Sequence, residues 1–185
     1  TLGYVVDAST GNLHMVSGIA GSSTMGAPVH RGSAIQCSAI APSAAYAVIS
    51  DESGKAWFYG QPGPRGASGA ELADLSGVTH LATSPSGDGF VAYASGSGRV
   101  TVYAVRDGSP HLERSYSVAL SAPVSRVALA DGLKDPALLT RDSSGSSVLR
   151  ASGDGLRTVA VLPGATEVTF LRGSERALIL DAAQN

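Results

Sequence analysis

Four segments of this chain repeat one another at a near-constant interval, and this constrains the fold more than any other feature. They lie at 35–41, 78–84, 124–130 and 165–171, so their first residues are 43, 46 and 41 positions apart. Each is a short β-rich run followed by a turn: Pro42-Ser43, Pro85-Ser86-Gly87, Asp131-Gly132 and Arg172-Gly173. A second apolar strand, a polar hairpin turn, a third strand and a looser fourth strand come next. The second unit has the full set, at 78–84, 89–95, 99–105 and 112–119. A four-stranded unit recurring every ~40–45 residues is the pattern of a propeller blade. The expected fold class is therefore all-β, a β-propeller of about four blade-equivalents, each a four-stranded antiparallel sheet.

Local patterning agrees. Runs such as Phe90-Val91-Ala92-Tyr93-Ala94 and Val100-Thr101-Val102-Tyr103 are bounded by Gly and Ser clusters, as strands bounded by turns should be. Apolar spacing at i, i+3 and i+4 is nearly absent. The one helical candidate, 70–75, reads equally well as an edge strand. One aligned column is small throughout, Ala39, Ala82, Ala128 and Thr169, which suits strands crowded around a central axis.

The repeat phase divides a single domain, 1–185. Complete blades are expected at 35–77, 78–123 and 124–164. Residues 2–18 read as the third and fourth, outer strands of a split blade, and 165–181 as its two inner strands. Two arrangements satisfy this. In a closed ring the strands at 2–7 and 177–181 pair, burying Tyr4, Val6, Leu178 and Leu180. In an incomplete part of a larger propeller they stand apart with open edges. Residues 181–185 stop inside a turn, so the arc is expected, with its remaining blades on a longer chain.

Composition excludes several classes. Charged residues are 15% and hydrophobic ones 43% of the chain, too few and too many for a disordered polar chain. No apolar run approaches the ~18 residues of a membrane-spanning helix, so no membrane insertion is expected. A net charge of −2 argues against nucleic acid as partner. The single cysteine, Cys37, excludes an internal disulfide and any multi-thiolate metal site.

In period and strand order the chain resembles bacterial β-propeller repeats of the broad WD-like type. The Gly-His and Trp-Asp pairs of true WD repeats are missing. The opening, Leu2-Gly3-Tyr4-Val5-Val6-Asp7-Ala8, Leu13, Gly18-Ile19-Ala20-Gly21 and Met25-Gly26-Ala27-Pro28, resembles the start of uncharacterised exported propeller proteins of soil bacteria. That resemblance implies a periplasmic or extracellular location and a longer chain, and it brings no assigned activity.

Reactive spacings are sparse. There is no G-x-S-x-G, G-x-x-x-x-G-K-[ST], H-E-x-x-H or C-x-x-C. The glycine-rich stretches at 66–69 and 96–98 fall where turns are needed. The histidines, His14, His30, His80 and His111, are isolated in sequence, and only His80 falls on an innermost strand. No metal, cofactor or catalytic set is expected. One column is a candidate ligand site: the third position of the innermost strands reads Cys37, His80, Arg126 and Glu167. Four blades would present these at equal depth around one mouth of the central channel. Arg126 suits an anion, Glu167 a donor, and His80 either. Equally, they line a wet channel, with Arg126 and Glu167 paired between blades. Trp57, Phe58 and Tyr59 alternate across a strand and are expected to pack into the two flanking cores.

A non-enzymatic scaffold or interaction module, with a protein or small polar ligand as partner, fits repeats without reactive motifs. The alternative is a hydrolase or lyase, or a small polar-ligand binder, using the polar ring at the channel mouth.

Overall fold

The structure is a computed structural model that describes residues 3–7, 9–19, 22–30, 32–61 and 69–182. Within it seventeen strands form five antiparallel sheets. The first sheet holds β1 (Gly3–Asp7), β2 (Asn12–Ile19) and β3 (Ser22–Pro28). Three four-stranded meanders follow. They are β4 (Ile35–Ile40) to β7 (Gly69–Ser76), β8 (His80–Thr83) to β11 (Ser109–Ser117), and β12 (Val124–Ala128) to β15 (Gly155–Val161). A two-stranded sheet, β16 (Ala165–Phe170) and β17 (Ala177–Asp181), comes last. The described residues include a 3-10 turn, Asp131–Leu133, and no α-helix. The 70–75 segment is part of strand β7. The fold is all-β and propeller-like.

The first strands, β4, β8, β12 and β16, pack one against the next and so form the inner row of the sheets. Each pair of neighbouring sheets encloses its own core. The second strands are buried on both faces because side chains alternate between two cores. In β5 (Ala47–Asp51), Val48 faces the core shared with β8–β11, while Ala47 and Ile49 face the one shared with β1–β3. In β9 (Gly89–Ala94), Phe90 and Ala92 take one side, Val91 and Tyr93 the other. On β6 (Lys55–Tyr59), Phe58 enters the first of these cores, while Tyr59 and Trp57 enter that facing β1–β3. Phe90 and Tyr103 stack with ring centroids 4.9 Å apart, and Tyr46 and Phe58 at 5.3 Å, within the range of favourable aromatic pairs.

Hydrogen bonds stitch the loops between sheets at intervals close to the repeat. The Asp88 carboxylate accepts the Gly132 N–H at 2.8 Å. Asp131 accepts Ser86 N–H and Gly173 N–H, both at 2.6 Å, so one side chain ties three sheets together.

The N-terminal assignment needs correction. The sequence reading puts two strands in 2–18, the third and fourth of a blade, but three strands form, and β3 reaches Pro28. Its residues are exposed up to Ala27, so it carries no apolar alternation and is held by backbone pairing to β2. Because β3 leads directly into innermost strand β4, β1 to β3 correspond to second, third and fourth strands. The turns agree. Asp7 Oδ1 accepts Ser9 N–H and Oγ–H, as Asp51 does from Ser53 and Asp142 from Ser144. The latter two turns join second strands to third. Among the described residues β1 pairs with β2 and β17 with β16, and β1 and β17 are not paired with each other. Leu178 and Leu180, expected to be buried in a closed ring, are 55% and 57% exposed. Residues 2, 8, 20, 21, 66–68 and 183–185, which carry parts of the sequence reading, lie outside the described residues.

Candidate functional site

The column of third-position residues has a common origin in the backbone. In β4, β12 and β16 the pairing with the second strand slips at the second residue, between Ile35 and Cys37, Val124 and Arg126, and Ala165 and Glu167. These slips are β-bulges, which bend a strand and re-aim its side chains. The bulged residues are Gln36, Ser125 and Thr166, and Thr79 holds the same place ahead of β8. Ser125 Oγ donates to Leu139 O (3.1 Å), Thr166 Oγ1 to Leu180 O (3.4 Å) and Thr79 Oγ1 to Tyr93 O (3.3 Å). Those carbonyls belong to the residues directly opposite Arg126, Glu167 and His80. In these three repeats a hydroxyl at position two bonds back to the second strand beside position three, whereas β4 makes the same slip with Gln36. Ser or Thr in three of four repeats is a sequence signal that period alone does not expose.

The four column residues are held differently. Arg126 Nε donates to both Glu167 oxygens, at 2.8 and 3.0 Å, across two sheets. Arg126 also donates to Ser125 O at 2.8 Å. Cys37 is half-buried, and its Sγ lies 3.9 Å from Val78 O. Burial pushes its thiol up to about 11, against smaller lowering by hydrogen bonds with Ser50, so the thiolate is scarce at neutral pH. His80 is half-buried, with Nδ1 2.9 Å from Thr79 Oγ1 and its ring 6.0 Å from that of Tyr93. Burial, and then the Arg126 charge, lower its pKa below 6.5. It is therefore a neutral imidazole at pH 7.

His80 is also the one column residue lining an open cleft of about 990 Å³ at the end where the first strands begin. Its other walls come from Thr79, Tyr93, the β9–β10 turn (Ser95, Ser97) and Ser117 with the 118–124 connection to β12. None of the lining side chains carries a formal charge with His80 neutral. The site therefore presents hydroxyl donors and acceptors beside one neutral imidazole and the Tyr93 ring. Cys37, Arg126 and Glu167 lie outside this lining. The serines Ser95, Ser97 and Ser117 escape sequence reasoning because their composition reads as turn punctuation. The other histidines are held elsewhere: His14 Nδ1 lies 2.8 Å from Gly26 O, His30 Nδ1 lies 2.8 Å from Tyr59 Oη, and His111 is exposed on β11.

No protein-family model matches the chain, and no curated protein does either. Solved structures match at the level of fold. One is a protein of Bacteroides uniformis provisionally assigned as a 6-phosphogluconolactonase, with TM-score 0.63 and 15% identity over 95% of this chain. Another is the Cps50 (Swd1) β-propeller domain of Myceliophteria thermophila, with TM-score 0.61 and 11% identity over 92%. A third is the periplasmic gluconolactonase of Pseudomonas aeruginosa, with TM-score 0.52 and 16% identity over 98%. The chain spans 59%, 60% and 59% of their respective lengths. Likeness at such identity establishes the β-propeller fold alone.

Proposed function

We propose that the chain is a non-enzymatic propeller binding module whose cleft beside His80 takes a small, uncharged, hydroxyl-rich ligand of the sugar or sugar-lactone class. The observation that carries this reading is the lining: hydroxyl groups from Thr79, Tyr93, Ser95, Ser97 and Ser117 around a neutral imidazole, with no charged wall. Hydroxyl groups of this kind both donate and accept, as a polyol ligand requires, and a few placed polar groups in a cleft are how small-ligand sites gain orientation. The name of one neighbour, the periplasmic gluconolactonase, agrees with the ligand class. The resemblance of the N-terminal residues to exported propellers, and the periplasmic neighbour, support an exported bacterial protein. Calorimetric titration with D-glucose, myo-inositol and gluconolactone tests the reading. Saturable binding that is lost in His80→Gln and weakened in Ser97→Ala supports it. Absence of binding to all three, or binding unchanged in both variants, rejects it.

A second reading rests on the neutrality of His80. A neutral imidazole can take a proton from water as that water adds to a lactone carbonyl, and return it to the ring oxygen as the acyl C–O bond breaks, giving the hydroxy acid and restoring the imidazole. Gluconolactone hydrolysis above the buffer rate, abolished by His80→Gln, would favour catalysis over binding alone. A rate equal to buffer eliminates it.

A further inference from the structure

A second cleft, about 560 Å³, opens at the opposite end of the sheets, beside the loops that join first strands to second. Its walls carry four cations, Arg114, Lys134, Arg150 and Arg157, against two carboxylates, Asp135 and Glu175. That leaves an excess of two positive charges in a chain of net charge −2. The cations are incompletely matched. Lys134 Nζ and an Arg150 terminal nitrogen share the single Glu175 carboxylate at 3.7 and 3.8 Å, beyond hydrogen-bond distance. An Arg114 terminal nitrogen sits 3.4 Å from Asp135, and the other donates to Leu133 O. Both Arg114 and Arg150 keep a shielded Nε–H with no acceptor. Arg157 lies directly opposite Arg150 across the β14–β15 pair, with β14 spanning Gly145–Ser152. Like charges placed opposite one another in a sheet repel. Among the described residues no carboxylate pairs with Arg157.

We infer that this cleft binds the phosphate group of a phosphorylated molecule. A phosphate dianion supplies several acceptor oxygens that match guanidinium forks. It would relieve the Arg150–Arg157 repulsion and replace the long contacts to Glu175. The space of about 560 Å³ is larger than one phosphate ion needs and leaves room for an organic group beyond the phosphate. The site is separate from the His80 cleft and does not depend on its ligand.

The test titrates the whole chain with glycerol 3-phosphate, followed by phosphorus NMR. In parallel it measures sedimentation with phosphatidylcholine vesicles with and without phosphatidic acid. Saturable binding to either phosphate source that weakens with added salt is expected. Binding to the soluble probe alone identifies a metabolite site, and binding only to phosphatidic acid vesicles a lipid headgroup site. Lys134→Gln and Arg157→Gln should each weaken binding about tenfold, the loss of one charge-assisted contact. Glu175→Gln should tighten it by removing the competing carboxylate. These three residues are exposed, so the variants test the proposal even where Arg150→Gln fails to fold. No saturable binding to either source, unchanged affinity in Lys134→Gln and Arg157→Gln, or weaker binding in Glu175→Gln would each overturn it.

Discussion

Replacing Asp51 by alanine should destabilise the fold by about 3 kcal/mol, in the range for breaking a buried polar network. Asp51 ends β5 and is 3% exposed. Its Oδ1 accepts Ser53 N–H (2.9 Å), Ser53 Oγ–H (2.5 Å) and Lys55 N–H (3.2 Å), and its Oδ2 accepts the Trp57 Nε1–H at 3.0 Å. His30 Nε2 stands 3.8 Å from Oδ2. Ser53 and Lys55 are exposed, so water can replace their acceptor in the variant. Trp57 is half-buried, and its indole N–H loses a partner that water reaches poorly. An orphaned buried donor costs roughly 1–3 kcal/mol, and lost hydrogen bonds to a charge make up the rest. Asp142 holds the same turn through Ser144 at 2.7 Å but on the surface, so Asp142→Ala is the internal control and should cost far less. Urea unfolding followed by circular dichroism and by fluorescence of Trp57, the only tryptophan, measures both. The Asp51 variant should also melt roughly 6–12 °C lower. Burial pushes the Asp51 pKa up, but the bonds from Ser53, Trp57 and Lys55 outweigh it and the net shift is below 3.8. Its contribution is thus present above that pH and lost as pH falls through the lower folded value. Equal losses in the Asp51 and Asp142 variants would refute the reasoning that burial, not turn geometry, sets the cost.

Asp131→Ala removes the carboxylate that joins three sheets and should cost about 1–2 kcal/mol, two charge-assisted bonds discounted for their partial exposure; an unchanged urea midpoint would contradict this. Cys37, its thiol raised by burial to about 11, should react slowly with a thiol reagent at pH 7, the rate rising about tenfold per pH unit as thiolate forms. A rate at pH 7 matching free cysteine would show the site to be open. His80 should titrate below 6.5 by NMR, because burial and then Arg126 disfavour its charged form, and Arg126→Gln should move it part of the way back. The unfolded chain then binds the proton more readily, so this residue lowers stability as pH falls below 6.5; a midpoint above 6.5 would reverse both conclusions.

Much of the fold is legible because a propeller writes its period into the chain. The aligned first strands at 35–41, 78–84, 124–130 and 165–171 contain the observed inner row, β4, β8, β12 and β16. The alternation of Trp57, Phe58 and Tyr59 anticipates their two cores, since strand geometry alone sends neighbours to opposite faces. β3 was hidden because pattern reading depends on burial. Ser22 to Ala27 bury nothing, and backbone pairing leaves no mark in side-chain hydrophobicity. The strand phase at the N-terminus was readable from another quarter: Asp7-x-Ser9 repeats Asp51-x-Ser53 and Asp142-x-Ser144. Apolar runs alone cannot tell a second strand from a third. At the site, the column Cys37, His80, Arg126 and Glu167 is predictable in register. The cleft is not, because its wall comes from hairpin serines and a connecting loop that meet only in three dimensions.

Whether the His80 cleft is a ligand site can be asked most directly by NMR titration of histidine-labelled protein with D-glucose, myo-inositol and gluconolactone. The four histidines report from separate places: His80 at the cleft, His14 against Gly26, His30 against Tyr59, and His111 on the exposed face of β11. The His80 resonances should shift saturably with at least one of these compounds while the other three hold still. Shifts confined to the other histidines, or no saturable shift at His80 with any of the three, would contradict the assignment of the cleft.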